Sequence, residues 1–169
     1  WDFTDTDIFS HWKKEMEIKT GRQVIDIEIK ALNLLKNYIS EDFVKVVNLL
    51  LKNKGKIIVS GIGKSGHIAS KIASTLSSVG SPSFYIHPSE ANHGDLGMLE
   101  KKDVVILISN SGETSELINL ILYCKKLGVP IISITSEPNS TLSRESNLNL
   151  LIPKNIEACP LELAPTSST

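Results

Sequence analysis

Two short stretches of this chain gather hydroxyls, glycines and charge in the way a phosphate site requires. They are Gly61-Ile-Gly-Lys-Ser-Gly66 and Ser109-Asn-Ser-Gly-Glu-Thr114. Glycine lets a backbone approach a ligand closely, and the N–H groups of a helix start point at negative charge. Ser109, Ser111 and Thr114 offer three hydroxyl donors around a glycine turn, and Ser65 could join the same pocket. Lys64, beside the first loop, becomes a candidate for holding an anionic substrate. The plainer alternative is that Asn110 or Ser111 caps the following helix, with Glu113 complementing its dipole. Histidines and carboxylates stand near the same positions in the pattern. His93 lies in a glycine-flanked loop with Asp95 nearby, and Glu157 follows the last strand candidate.

The spacing Gly61-x-Gly63-x-x-Gly66 also spells a dinucleotide fingerprint. That motif calls for an acid at the end of the second strand to hold ribose hydroxyls. His87 and Pro88 occupy that end, and Glu90 comes three residues late. A triphosphate loop of the G-x-x-x-x-G-K-S type is excluded, because Ile58 stands where its first glycine is needed. No histidine pair has helical metal spacing, and Cys124 and Cys159 form neither a C-x-x-C pair nor a zinc pattern. No metal and no cofactor are expected. Cys124 reads as a small core residue in a helical pattern, and Cys159 sits in a proline-bounded loop.

The elements that must position these groups follow from periodicity. Residues 1–22 show no firm period and are set apart as an N-terminal segment; residues 23–169 form one domain. Val24, Ile25, Ile27, Ala31, Leu32, Leu34, Leu35 and Tyr38 make a broad apolar helical face. Ser40 with Glu41-Asp42 starts a second helix, carrying Phe43, Val46, Val47, Leu50 and Leu51, which ends near Gly55. Strands then alternate with helices. The strands are Lys56–Ser60, Ser83–His87, Val104–Ser109, Ile131–Thr135 and Leu148–Ile152; the helices are Ser65–Val79, Glu113–Leu127 and Ser140–Ser146. Pro88 to Gly97 has room for a short helix only. This order predicts an α/β fold: a three-layer, flavodoxin-like sandwich around a parallel sheet of about five strands, with right-handed crossovers. Ligands bind beyond the carboxyl ends of such strands, which is where both polar loops fall.

Composition narrows the function classes. At 169 residues, 41% hydrophobic and 22% charged, the chain reads as one soluble globular domain. A net charge of −1 and 5% aromatics give neither the basic footprint nor the stacking platforms of a nucleic-acid binder. No apolar run is long enough to span a bilayer. The acidic start, Trp1-Asp-Phe-Thr-Asp-Thr-Asp7, lacks the blocks of a signal peptide, and the readings of Cys124 and Cys159 fit a cytoplasmic, reducing setting, which is expected.

Four ordered blocks resemble the sugar isomerase (SIS) domain of the D-arabinose 5-phosphate isomerases. They are Gly61 to His67, His87 to Met98, Ile108 to Glu113, and Glu157 to Thr169. The resemblance runs from about Gln23 to the last residue. It implies interconversion of D-ribulose 5-phosphate and D-arabinose 5-phosphate, feeding synthesis of the Kdo sugar of lipopolysaccharide. It further implies a homo-oligomer, usually a tetramer, with sites shared between subunits. By motif, Gly63, Ser65, Ser109, Ser111, Gly112 and Thr114 would bind the phosphate. Lys64, His93, Glu113 and Glu157 would surround the sugar. Moving a carbonyl between C1 and C2 needs a base, acid help at the oxygens and an enediol intermediate, but no hydride acceptor. His93 is the first candidate for proton transfer; Glu113 and Glu157 are rivals or orienters, and Lys64 would stabilise the enediolate. A non-catalytic SIS domain sensing a phosphosugar or sugar nucleotide is the competing expectation. The family pattern continues into a CBS pair and a further histidine, neither of which lies within these 169 residues.

Overall fold

The structure, a computed structural model, describes residues 7–91, 94–154, 157–159 and 165–168, with side chains from residue 14 onward. Two helices, α1 (Asp7–Leu35) and α2 (Glu41–Lys52), precede an alternating series: β1 (Ile57–Gly61), α3 (Lys64–Ser78), β2 (Ser83–Ile86), α4 (Pro88–Ala91), β3 (Val104–Ile108), α5 (Ile118–Leu127), β4 (Ile131–Thr135), α6 (Thr141–Glu145) and β5 (Leu148–Leu151). Single 3-10 turns cover Lys36–Tyr38, Asp95–Met98 and Ser115–Leu117.

All five strands are parallel, in the order β2-β1-β3-β4-β5. This is the flavodoxin-like arrangement expected from the alternation. The central strands β1, β3 and β4 are mostly apolar because both faces are covered, β3 being apolar throughout, while the outer strands β2 and β5 are largely half-buried. On one face Ile57, Val59, Val104 and Ile106 pack with Val46 of α2 and Ala69 and Ala73 of α3. On the other, Ile58, Val105 and Leu107 pack with Leu120, Ile121 and Cys124 of α5 and Leu142 of α6. Each fully buried Ile, Val or Leu contributes about 1.5–3 kcal/mol relative to exposure, so the three central strands anchor the domain. Cys124 is one of these core residues, and burial pushes its thiol up to about 12.

Helix ends follow local chemistry. Ser40 caps α2 by accepting the Asp42 N–H, with Glu41 and Asp42 in the first turn as expected. α5 stops at Gly128, whose φ of +73° is left-handed. One stretch without a firm period proves helical, and one expectation needs correction. α1 begins at Asp7, so helix occupies most of a stretch that showed no firm period. Residues 14–23 are exposed on every side, and a helix that buries no face has no apolar stripe to display. The helix after β3 does not start at Glu113. It opens as a 3-10 turn at Ser115 and becomes α-helical at Ile118.

The amino edge of the sheet, opposite the polar loops, is tied by Asp103. This residue is 1% exposed. Its carboxylate accepts Lys56 N–H and Glu100 N–H, each at 2.8 Å, and faces the Lys56 ammonium at 3.8 Å. Lys56 also reaches Glu100 at 3.1 Å and lies over the Phe84 ring at 5.9 Å.

Candidate active site

β1 and β3 are hydrogen-bonded neighbours with Gly61 level with Ile108, so the loops that leave them start side by side. The strand order reverses at this pair, which makes it the switch point where doubly wound sheets open a crevice.

The three glycines of the first loop do different work. Gly63 has φ +59° and ψ −126°, a backbone conformation that resists a side chain even though the space around it is open. Gly61 and Gly66 are close-approach positions. A Cβ on Gly61 would lie 3.0 Å from Ile108 O and from the Ser65 carbonyl; one on Gly66 would lie 2.8 Å from Gly61 O and 2.9 Å from Tyr85 Oη. The first turn of α3 is thus seated on the end of β1. Tyr85 Oη donates to Gly61 O at 2.9 Å and braces the loop from β2. Close strand–helix packing at Gly61 and Gly66 and the backbone turn at Gly63 account for the fingerprint spelling. Lys64 opens α3 with an exposed side chain, and Ser65 follows it half-buried.

The second loop folds on its own hydroxyls. Ser109 is 3% exposed. Its Oγ accepts Gly112 N–H at 3.0 Å and lies 2.7 Å from Thr114 Oγ1. Ser111 Oγ accepts Glu113 N–H at 3.3 Å, and Gly112 turns with φ +65°. Neither Asn110 nor Ser111 caps the following helix, and the Thr114 side chain makes no cap bond at the 3-10 turn. The plain capping alternative therefore does not account for these hydroxyls.

The carboxylates are both held. Glu113 Oε1 accepts Thr141 N–H at 2.7 Å across to α6. That bond, a further one from the Thr141 hydroxyl and, least, the nearby Arg144 charge keep its carboxyl below the usual carboxylate range despite some desolvation. Glu157 Oε2 accepts Thr166 N–H, Thr166 Oγ1 and Ser167 N–H at 2.5, 2.8 and 2.9 Å. Burial pushes Glu157 up, but hydrogen bonds from Ser168, Thr166 and Ser167 outweigh it and leave the carboxyl low. Glu157, Ser167 and Ser168 line a cleft of about 280 Å³ with Ala31 and Leu35 of α1 and Pro153 after β5. His93 lies outside the described residues. His87, just past β2, accepts Ser89 N–H on Nδ1 at 3.2 Å and meets Tyr85 edge-on at 6.3 Å. No group of three or more His, Cys, Asp or Glu suited to a metal occurs among the described residues.

Sequence reasoning missed the supports. Tyr85 carries no sequence signal for its brace. Thr135, Ser136, Ser140 and Thr141 fasten the second loop; Thr135 was visible as a strand end and Ser140 as a helix start. Their common target was not visible.

A five-stranded parallel sheet in this order, with glycine-hydroxyl loops on both strands of its switch point, defines a doubly wound α/β ligand-binding domain. Within that class the chain belongs to the SIS domain family, whose profile matches residues 50–169. It is 49% identical over 152 residues to the arabinose 5-phosphate isomerase KdsD of Pseudomonas aeruginosa, covering 90% of this chain and 47% of that protein. To the KdsD protein of Escherichia coli K12 it is 50% identical over 151 residues, covering 89% and 46%. The chain spans about half the length of these curated relatives. An Escherichia coli CFT073 protein solved in complex with arabinose 5-phosphate superposes with a TM-score of 0.82 at 40% identity, over 98% of this chain and 84% of that one.

Proposed function

We propose that this chain is the aldose–ketose isomerase domain of a D-arabinose 5-phosphate isomerase, interconverting D-ribulose 5-phosphate and D-arabinose 5-phosphate through an enediol. The observation that carries the reading is the pair of glycine-hydroxyl loops on β1 and β3, side by side at the switch point. The relative with arabinose 5-phosphate bound, alike over almost the whole chain, supports the same substrate.

In this reading Ser65, Ser109, Ser111 and Thr114 hold the phosphate, with backbone N–H groups around Gly63 and Gly112. Hydrogen bonds to a charged group contribute about 1.5–3 kcal/mol each, so this end of the sugar supplies most of the positioning. Lys64 stabilises charge on the enediolate oxygen. The base must titrate near the working pH. Glu113 and Glu157 both sit below the usual carboxylate range, which favours them as orienters of sugar hydroxyls and His93 as the proton carrier. The proton leaves C2 of one sugar and returns to C1 of the other, so nothing is oxidised overall.

The chain works as a homo-oligomer, a tetramer with shared sites. Ile25, Ile29 and Leu32 of α1 are 58%, 50% and 62% exposed, and Ala31 is the one buried residue among the described side chains of that helix. An apolar helix face left bare supports burial against further copies. The protein acts in the cytoplasm, and its product feeds Kdo and lipopolysaccharide synthesis. No helix among the described residues is long and apolar enough to cross a membrane.

The test is direct. The purified chain is incubated with D-arabinose 5-phosphate, and D-ribulose 5-phosphate is followed by NMR. Enzyme-dependent, saturable conversion is expected; tight binding without conversion would defeat the isomerase reading.

A further inference from the structure

The loop after β3 is fastened to the amino end of α6 and to the segment before it. Thr141 N–H donates to Glu113 Oε1 at 2.7 Å, and Leu142 N–H donates to Gly112 O at 3.0 Å. A Cβ on Gly112 would collide with Ser140 Oγ. Ser140 is 3% exposed and cannot yield: its hydroxyl donates to Glu137 O at 2.8 Å and accepts Ser143 N–H at 3.2 Å. Asn110 O accepts from Thr135 Oγ1 at 3.0 Å and from Ser136 Oγ at 2.9 Å. These ties act on residues 110, 112 and 113. None involves the hydroxyls of Ser109, Ser111 or Thr114.

We propose that Thr141 is a positioning residue for the reaction: its backbone N–H fixes the Glu113 carboxylate, and with it the pitch of the 109–114 loop, without touching substrate. This rests on the isomerase reading above. Arg144 of α6 is the charged group that bears on Glu113 among the described residues, and Glu137, ahead of α6, is paired with Lys154.

The backbone around Thr141 offers a clean test. Thr141 is the first residue of α6, and Ser140 before it has φ −69° and ψ 163°. A residue preceding proline adopts that conformation, and the first helical position is where proline is best tolerated. Thr141→Pro removes the N–H while leaving the helix start in place. Thr141→Ala keeps the N–H and removes only the hydroxyl, which Arg144 Nη2 reaches at 3.2 Å and which also bonds Glu113, so the difference between the two variants reads the N–H.

Turnover and D-arabinose 5-phosphate affinity are measured for both variants, and the Glu113 side-chain carboxyl is titrated by ¹³C NMR without substrate. T141P is expected to bind within about threefold of the parent while kcat falls about tenfold, with T141A within about twofold in both. The Glu113 midpoint is expected to rise in both variants, and further in T141P, which loses the N–H as well as the hydroxyl. Parent-like turnover in T141P overturns the inference, as does a fall in affinity equal to the fall in kcat, which marks a collapsed loop. A parent chain with no turnover refutes the isomerase reading instead. The carboxyl titration then decides, and a midpoint that rises no further in T141P than in T141A overturns the positioning role.

Discussion

The hydroxyls of Ser109 and Thr114 lie 2.7 Å apart, and Gly112 N–H donates to the same Ser109 oxygen. One buried hydroxyl therefore shapes the turn and orients its partner. Ser109→Ala removes both side-chain bonds, about 0.5–1.5 kcal/mol each, and leaves the Gly112 N–H only its 3.2 Å bond to the Ser109 carbonyl. Phosphosugar affinity is expected to drop at least about tenfold, each 1.4 kcal/mol being one decade. Thr114→Ser keeps the oxygen and should stay near the parent. Calorimetric titration with D-arabinose 5-phosphate checks both, and an S109A protein that binds normally would remove this hydroxyl from the site.

The glycine loop predicts two different kinds of damage. Gly63→Ala meets open space but must hold φ at +59°, at about 1–3 kcal/mol of backbone strain. Gly66→Ala meets the Gly61 carbonyl at 2.8 Å and Tyr85 Oη at 2.9 Å, so α3 must lift off β1. Urea unfolding should show Gly66→Ala to be the more destabilising, and Tyr85→Phe in that background should recover only part, because the backbone oxygen remains.

Much of this was legible in the sequence, for physical reasons that differ by element. β1, β3 and β4 announce themselves because burial on both faces demands mainly apolar residues, as in Val104 to Ile108 of β3 and Ile57 to Val59 of β1. Residues 14–23 of α1 do not, since they are exposed on every side. The start of α5 misleads because Glu113 and Thr114 resemble a first helical turn, whereas the fold uses them for Thr141 and Ser109. The Glu113–Thr141 bond joins residues 28 apart through a backbone donor, and a backbone N–H leaves no trace in residue type. Asp103 stayed hidden likewise: its partners are the N–H groups of Lys56 and Glu100.

At the opposite edge of the sheet, Asp103→Ala should weaken the fold without altering the chemistry. It strands two N–H donors at about 1–3 kcal/mol each. The expected signature in urea is a lower midpoint with unchanged substrate affinity in the folded fraction. Reduced affinity at equal stability would place Asp103 in the wrong role.

Glu157 gives a pH prediction. Its folded carboxyl is depressed, so the tie to residues 166–168 stabilises the fold above the ordinary glutamate value of about 4.3 and is lost as pH falls through the lower folded value. The Thr166 and Ser167 amide resonances should move together, with a shared midpoint below that ordinary value. A midpoint above it would contradict the three-donor geometry.

The central claim is proton transfer at C2, and one measurement reads it directly. The chain is incubated with D-ribulose 5-phosphate in D₂O and the product is examined by proton and deuterium NMR. The account predicts D-arabinose 5-phosphate carrying deuterium at C2, with His93→Ala slowing its appearance by at least about a hundredfold, as expected for loss of a general base. Saturable binding with neither arabinose 5-phosphate nor deuterium incorporation would contradict it.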